Sequence, residues 1–163
     1  MKKFALAAAA ALLLATTAHA GEITFPSDAP VATITIPDDW GPKETDTGID
    51  ATSPDNAIYL SVDVATAQET KETVQAAIKY LGEQGVTVDE KTEKQSENTL
   101  NGMPMFGVDW DGTDKDGPVT ISLAAVTVGD KNLVFTYWGT KGDENKDQAA
   151  IVAILKSLKP AAQ

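Results

Sequence analysis

The sequence predicts an α/β (α+β) sandwich, a mainly antiparallel central sheet flanked by two helices. Three observations lead there. Apolar and polar residues alternate in several short segments joined by tight turns, the period of strands with one covered face. Only two segments carry the 3.6-residue period of amphipathic helices. One strand, 133–138, is apolar or aromatic on both alternating sets, so the sheet needs cover on both sides.

Residues 22–25 form a short strand stopped by Pro26. In 31–36, Ala32, Ile34 and Ile36 alternate with Thr33 and Thr35, and 37–42 turn the chain around Trp40. A strand at 49–53 runs into a Ser53-Pro54-Asp55-Asn56 turn. Residues 57–65 then set Ile58, Leu60, Val62 and Val64 against Tyr59, Ser61 and Asp63. Here the period changes. Thr66 and Glu69 have capping-box spacing, and Val74, Ala77, Ile78 and Leu81 follow on one helical face, ended by Gly82 or Gly85. Residues 86–89 start another strand, while the highly polar 90–101 fits either an exposed edge strand or a loop. Segments 103–110 and 119–128 read as a hairpin joined by 111–117, and 129–132 turn the chain into 133–138. A second helix spans 144–158, with Ile151, Ile154, Leu155 and Leu158 inward and Pro160 beyond its end.

Residues 1–20 have the three parts of a secretory leader. Lys2 and Lys3 precede an apolar run over 4–15, and Ala18-His19-Ala20 supplies a small-x-small site with cleavage expected between Ala20 and Gly21. The run is shorter than the roughly 20 residues of a membrane span, and no second apolar stretch follows. The leader is of a bacterial kind. A soluble product is expected, without membrane insertion of the mature chain, in the periplasm ahead of the medium. Residues 21–163 then form a single domain, long enough for a real core.

The mature chain carries 11 lysines against all 24 acids of the sequence, a net charge of −13. That sign repels phosphate backbones, which argues against a nucleic-acid partner, and suits solubility. Three absences say more. There is no cysteine, no arginine, and no histidine beyond His19 of the leader. Serine and cysteine nucleophiles lose their imidazole partner. Zinc, copper and haem lose their usual ligands. Bidentate capture of carboxylate or phosphate loses its guanidinium fork. What remains for catalysis is paired carboxylates, lysine chemistry or a hard metal held by oxygen. No cofactor is expected.

Several phrases resemble the PsbP-like superfamily. Ile34-Thr35-Ile36-Pro37-Asp38-Asp39-Trp40 is similar to its strand, proline and tryptophan opening. Ser53-Pro54-Asp55-Asn56-Ala57-Ile58-Tyr59-Leu60-Ser61-Val62 resembles its hairpin into a long strand. Asn101-Gly102-Met103-Pro104 and Ile154-Leu155-Lys156-Ser157-Leu158 look like its small turn and closing helix. The superfamily includes the extrinsic photosystem subunit, Ran-binding relatives and small exported bacterial proteins, and the likeness is strongest to the last. It implies a non-catalytic scaffold or partner-binding domain and carries over no site residue.

The most suggestive local feature is the acidic stretch holding Asp109, Asp111, Asp114 and Asp116. Four carboxylates in eight residues suit calcium, but glycine and glutamate are missing where an EF-hand loop requires them. Asp and Gly shaping a hairpin turn is the preferred reading. Trp40, Tyr59, Trp110, Tyr137 and Trp138 suit core packing or a sugar or peptide groove, but Tyr137 and Trp138 must face opposite ways. The expectation is therefore an exported, non-enzymatic binding or accessory module for an unknown protein or small molecule. The alternatives are a calcium-responsive protein and an acid-pair hydrolase, whose mark is a desolvated carboxylate in a deep cleft.

Overall fold

The computed structural model describes residues 20–142 and 144–162. The sequence-predicted leader therefore lies outside the described residues, apart from Ala20. Along the described chain run β1 (Ala20–Phe25), β2 (Ala32–Pro37), β3 (Lys43–Glu44), β4 (Gly48–Thr52) and β5 (Ile58–Thr66). Then come α1 (Thr70–Glu83), β6 (Thr87–Leu100), β7 (Met103–Asp114), β8 (Gly117–Val128), β9 (Lys131–Thr140), α2 (Glu144–Ser157) and β10 (Lys159–Pro160). Seven strands make one antiparallel sheet ordered β3-β4-β5-β9-β8-β7-β6. The expected class, a mainly antiparallel α+β sandwich with two helices, is the one observed.

Register sorts the side chains. Tyr59 pairs with Trp138 and Leu60 with Tyr137, so Ile58, Leu60, Val62, Leu133, Phe135 and Tyr137 share one face. That face is covered by α2 and by a small sheet ordered β1-β2-β10, through Phe25, Ile34, Ile36, Ile154 and Leu158. The other face holds Tyr59, Ser61, Thr136 and Trp138 and is covered by α1, whose Leu81 packs on Val119 and Ile121. Seventeen buried residues cluster on the first face and four on the second. Each large buried side chain is worth about 1.5–3 kcal/mol. The first face therefore dominates stability, and the second has room to spare. Residues 133–136 of β9 are all buried, so its expected two-sided cover is present.

Local chemistry fixes the ends of the elements. The Thr66 hydroxyl accepts the Glu69 N–H at 3.2 Å and the Glu69 carboxylate accepts the Thr66 N–H at 3.1 Å, the reciprocal pair the spacing predicts. The chain leaves α1 through Gly85 at φ +80°, with the Val86 N–H donating to the Leu81 carbonyl at 2.9 Å. Asn101 and Gly102, both at positive φ, form the two-residue turn between β6 and β7.

Three features differ in extent from the sequence reading. The polar segment 90–101 lies mostly in β6, the outer edge of the large sheet, with a register shift between Asp89 and Lys94. An edge strand with little cover needs no apolar alternation, and its charges discourage pairing with another chain. The connection expected over 111–117 shrinks to Lys115 and Asp116, because β7 and β8 stay paired out to Asp114 and Gly117. The third is the small sheet, in which Lys159 and Pro160 pair with Thr33 and Ala32. Proline is tolerated there because an edge position does not require its missing N–H.

Candidate functional site

A cavity of about 400 Å³ lies between the large sheet and α2. Its floor follows from register. Ser96, Gly107 and Ala124 stand side by side across β6, β7 and β8, ahead of Phe135 on β9. Three small side chains in one cross-strand row leave the volume that larger ones would fill. Ile151 and Leu155 of α2 form the roof, and Trp40, 4 % exposed on a 3₁₀ turn after β2, closes one end.

The roof is held by Asn101. Its side-chain amide donates to the Leu155 carbonyl at 2.9 Å and the Leu158 carbonyl at 2.8 Å, satisfying the C-terminal end of α2. Ser157 accepts the Thr35 N–H at 2.8 Å and ties the same end to β2.

The next row across the floor carries the polar groups. Asp109, Ser122 and Tyr137 are register partners on β7, β8 and β9, and the Ser122 hydroxyl donates to the Asp109 carboxylate. A side chain at Gly139 would put its Cβ 2.6 Å from the Tyr137 hydroxyl oxygen, so glycine is what lets that ring lie where it does. The cavity thus has a mostly apolar body, a hydrogen-bonding row at Asp109, Ser122 and Tyr137, and two further polar side chains, Ser96 and Asn98, on its β6 wall, the composition of a small-molecule site.

The opposite face carries a second concavity, a cleft of about 600 Å³ between α1 and β4–β5. Asp50, Asp63, Glu69 and Glu72 line it, beside Tyr59, Tyr80 and Thr136. Tyr59 stacks on Trp138 at 4.2 Å between ring centres, and Tyr80 of α1 leans on Tyr59 at 5.6 Å. Burial pushes the Asp50 carboxyl up; Lys43 opposes that rise and Asp63 adds to it. Burial, then the Tyr80 hydroxyl, also raises the Tyr59 phenol. Asp63 accepts from the Thr47 hydroxyl at 2.6 Å and from Ser61 at 3.4 Å.

No protein-family model matches the chain, and no curated protein does. Solved structures do. The solution structure of cyanobacterial PsbP from Synechocystis superposes at a TM-score of 0.58 and 9 % identity, covering 96 % of this chain and 99 % of that one. The chain has the PsbP-like fold. A Bacteroides thetaiotaomicron protein matches at 0.54 and 12 % identity, over 81 % of this chain and 46 % of its own. LpqN of Mycobacterium tuberculosis, described as involved in cell envelope biogenesis, matches at 0.50 and 12 % identity, over 88 % of this chain and 91 % of its own. At such identities the likeness carries the fold and nothing finer.

Within this PsbP-like fold the four acids singled out in the sequence share one hairpin but have separate partners. Asp109 faces the cavity and Ser122, while Asp111 pairs with Lys141 at 3.0 Å. Asp114 accepts the turn N–H groups of Asp116 and Gly117 at 2.8 and 3.0 Å, and Asp116 pairs with Lys115. Among the described residues no group of three or more metal-ligating side chains is placed to hold an ion. The five aromatics divide as strand alternation requires. Trp40 and Tyr137 line the cavity, while Trp138 and Trp110 rim the cluster under α1 and Tyr59 stacks there on Trp138. Sequence reasoning missed Ser96, Gly107, Ser122 and Ala124, whose signal is small size at positions that only cross-strand register brings together.

Proposed function

We propose that the chain is an exported, non-enzymatic binding module whose cavity under α2 takes a small, neutral, amphipathic molecule. The observation that carries this reading is the cavity itself, mostly apolar in its walls, with polar groups at Asp109, Ser122 and Tyr137 and at Ser96 and Asn98 of the β6 wall. Ser122 already donates to Asp109, so the free acceptor capacity of the carboxylate favours a ligand with a hydroxyl or amide donor at one end. The net charge of the mature chain disfavours anionic ligands.

Export is supported by the leader signals at Lys2, Lys3 and Ala18 to Ala20. A binding role rather than a catalytic one is supported by the mature chain's lack of histidine, cysteine and arginine. Among the described residues, no helix is long and apolar enough to cross a membrane.

The test is binding of a fluorescent alkyl probe to the mature domain, with solvent extraction of the natively purified protein and mass spectrometry of the extract. Ala124→Phe fills the cavity floor and should weaken probe binding by about tenfold, or ~1.4 kcal/mol. Saturable binding that ignores this substitution, or no binding by the wild-type domain, refutes the reading.

A further inference from the structure

The cleft under α1 has no role in that proposal. Its lining contains four carboxylates, Asp50, Asp63, Glu69 and Glu72, and no lysine. They come from three separate elements, β4, β5 and the start of α1, so the concentration of charge is built by tertiary structure and not by one acidic run. The nearest cations stand beside individual acids: Lys43 opposite Asp50 across the β3–β4 pair, and Lys131 near Glu69.

A second observation points independently to a ligand. Thr136 of β9, only 1 % exposed, lines this cleft, and its hydroxyl oxygen has no hydrogen-bond partner. Buried hydroxyls are otherwise almost always satisfied, so an orphan one in a concave acidic site is a vacancy for a donor. The wall beside it is aromatic, from Tyr59 and Tyr80. Ring faces attract cations, most strongly ammonium groups that have shed their water.

Acids from three elements, an unpaired hydroxyl and aromatic faces suit an alkylammonium better than a metal ion, which demands converging oxygens at short range. Several acids spread along a cleft of about 600 Å³ suit a flexible chain bearing more than one such group. We propose that the α1 cleft is a binding site for a linear aliphatic polyamine, separate from the cavity under α2. One ammonium sits between Asp50 and Asp63 and donates to the Thr136 hydroxyl. The aliphatic stem crosses the tyrosine wall, and a second ammonium meets Glu69 and Glu72 at the start of α1. The position of those two acids is favoured by the helix dipole with or without a ligand, so they need not rearrange to receive it.

The experiment is titration of the mature domain with spermidine at physiological ionic strength, followed by calorimetry and by NMR of the amides around Thr136, Tyr59 and Tyr80. Saturable binding with shifts confined to this cleft is expected. The paired substitution Asp50→Asn with Glu72→Gln should weaken it by at least about tenfold, since each removes a charge-assisted contact. Removing two charges elsewhere, by Asp114→Asn with Asp116→Asn, should leave affinity within about twofold, because screening confines the effect of distant exposed charge. Thr136→Val keeps the shape of the floor and should also weaken binding if folded; its melting curve checks that. Ala124→Phe should leave spermidine binding unchanged, which separates this site from the cavity. Equal loss from both charge pairs would mean attraction to net charge alone and would overturn the proposal. So would displacement of spermidine by equimolar magnesium, or binding of a lysine-rich peptide with none of spermidine.

Discussion

Asp55 shows how much a single exposed residue organises. Its carboxylate accepts from the Ser53 hydroxyl at 2.7 Å and the Ala57 N–H at 3.2 Å, closing the turn before β5, and it pairs with Lys146 of α2. Lys146 first, then Ser53 and the Ala57 N–H, hold the carboxyl well below the usual carboxylate range. Its folded pKa is lower than its unfolded one, so its contribution is fully present above the ordinary value of about 3.9 and disappears as pH falls below that. Glu69, held low by the Thr66 hydroxyl and N–H, acts in the same sense, whereas Asp50, raised by burial, acts in the opposite one. Urea midpoints measured from pH 5 down to pH 2 should fall for the wild type and fall less steeply for Asp55→Asn. Parallel slopes would show that the ion pair contributes nothing. The sequence displays Asp55 as a turn residue, but its partner is 91 positions away, and among 24 acids no local pattern marks which one meets a lysine.

At the level of elements, α2 is held to the β6–β7 turn by one side chain, and the coupling is measurable. Asn101→Gly keeps a residue that accepts φ near +51° but removes both hydrogen bonds to the end of α2. Two lost bonds at about 1 kcal/mol net each predict a destabilisation of about 2 kcal/mol in urea unfolding. Asn101→Ala should cost about 1–2 kcal/mol more, because alanine is strained in the left-handed region. A stability for Asn101→Gly equal to the wild type would remove Asn101 as the support of the cavity roof. Elements were readable where one face is covered and the other wet. The alternation over β5, the spacing of Val74, Ala77, Ile78 and Leu81, and the Asn101-Gly102 turn are all visible in the chain. The sequence of β6 fits strand and loop equally because its side chains are mostly solvent-facing and no burial pattern is imposed on them. β1 and β2 are visible as strands, but β10 is two residues long and pairs backbone to backbone, so no side-chain signature marks the separate small sheet the three form.

Across the whole molecule, the sandwich is asymmetric, and that asymmetry sets which parts open first. The fold class was legible because a strand apolar on both sides demands two covering layers. The cavity was not, since it arises from side chains that are absent along a row that only register assembles. β9 lies between β5 and β8, covered by α2 and the small sheet on one side and by α1 on the other. Opening it requires losing both cores together, so its central amides should exchange only through global unfolding. β6 is paired on one side only, is interrupted by the register shift between Asp89 and Lys94, and buries little apolar surface. Its opening breaks a single backbone ladder and exposes little new apolar surface, so it should occur at lower free energy. Hydrogen exchange followed by NMR should therefore place amides 133–136 at the global unfolding free energy, with those near 90–93 exchanging through local fraying. A ligand in the cavity under α2 should slow 96–100 of β6 and leave the β9 plateau raised only by the ordinary linkage of binding to unfolding. If β6 and β9 exchanged at one common free energy, the large sheet would be a single cooperative unit. The lower stability argued for β6 would then fail.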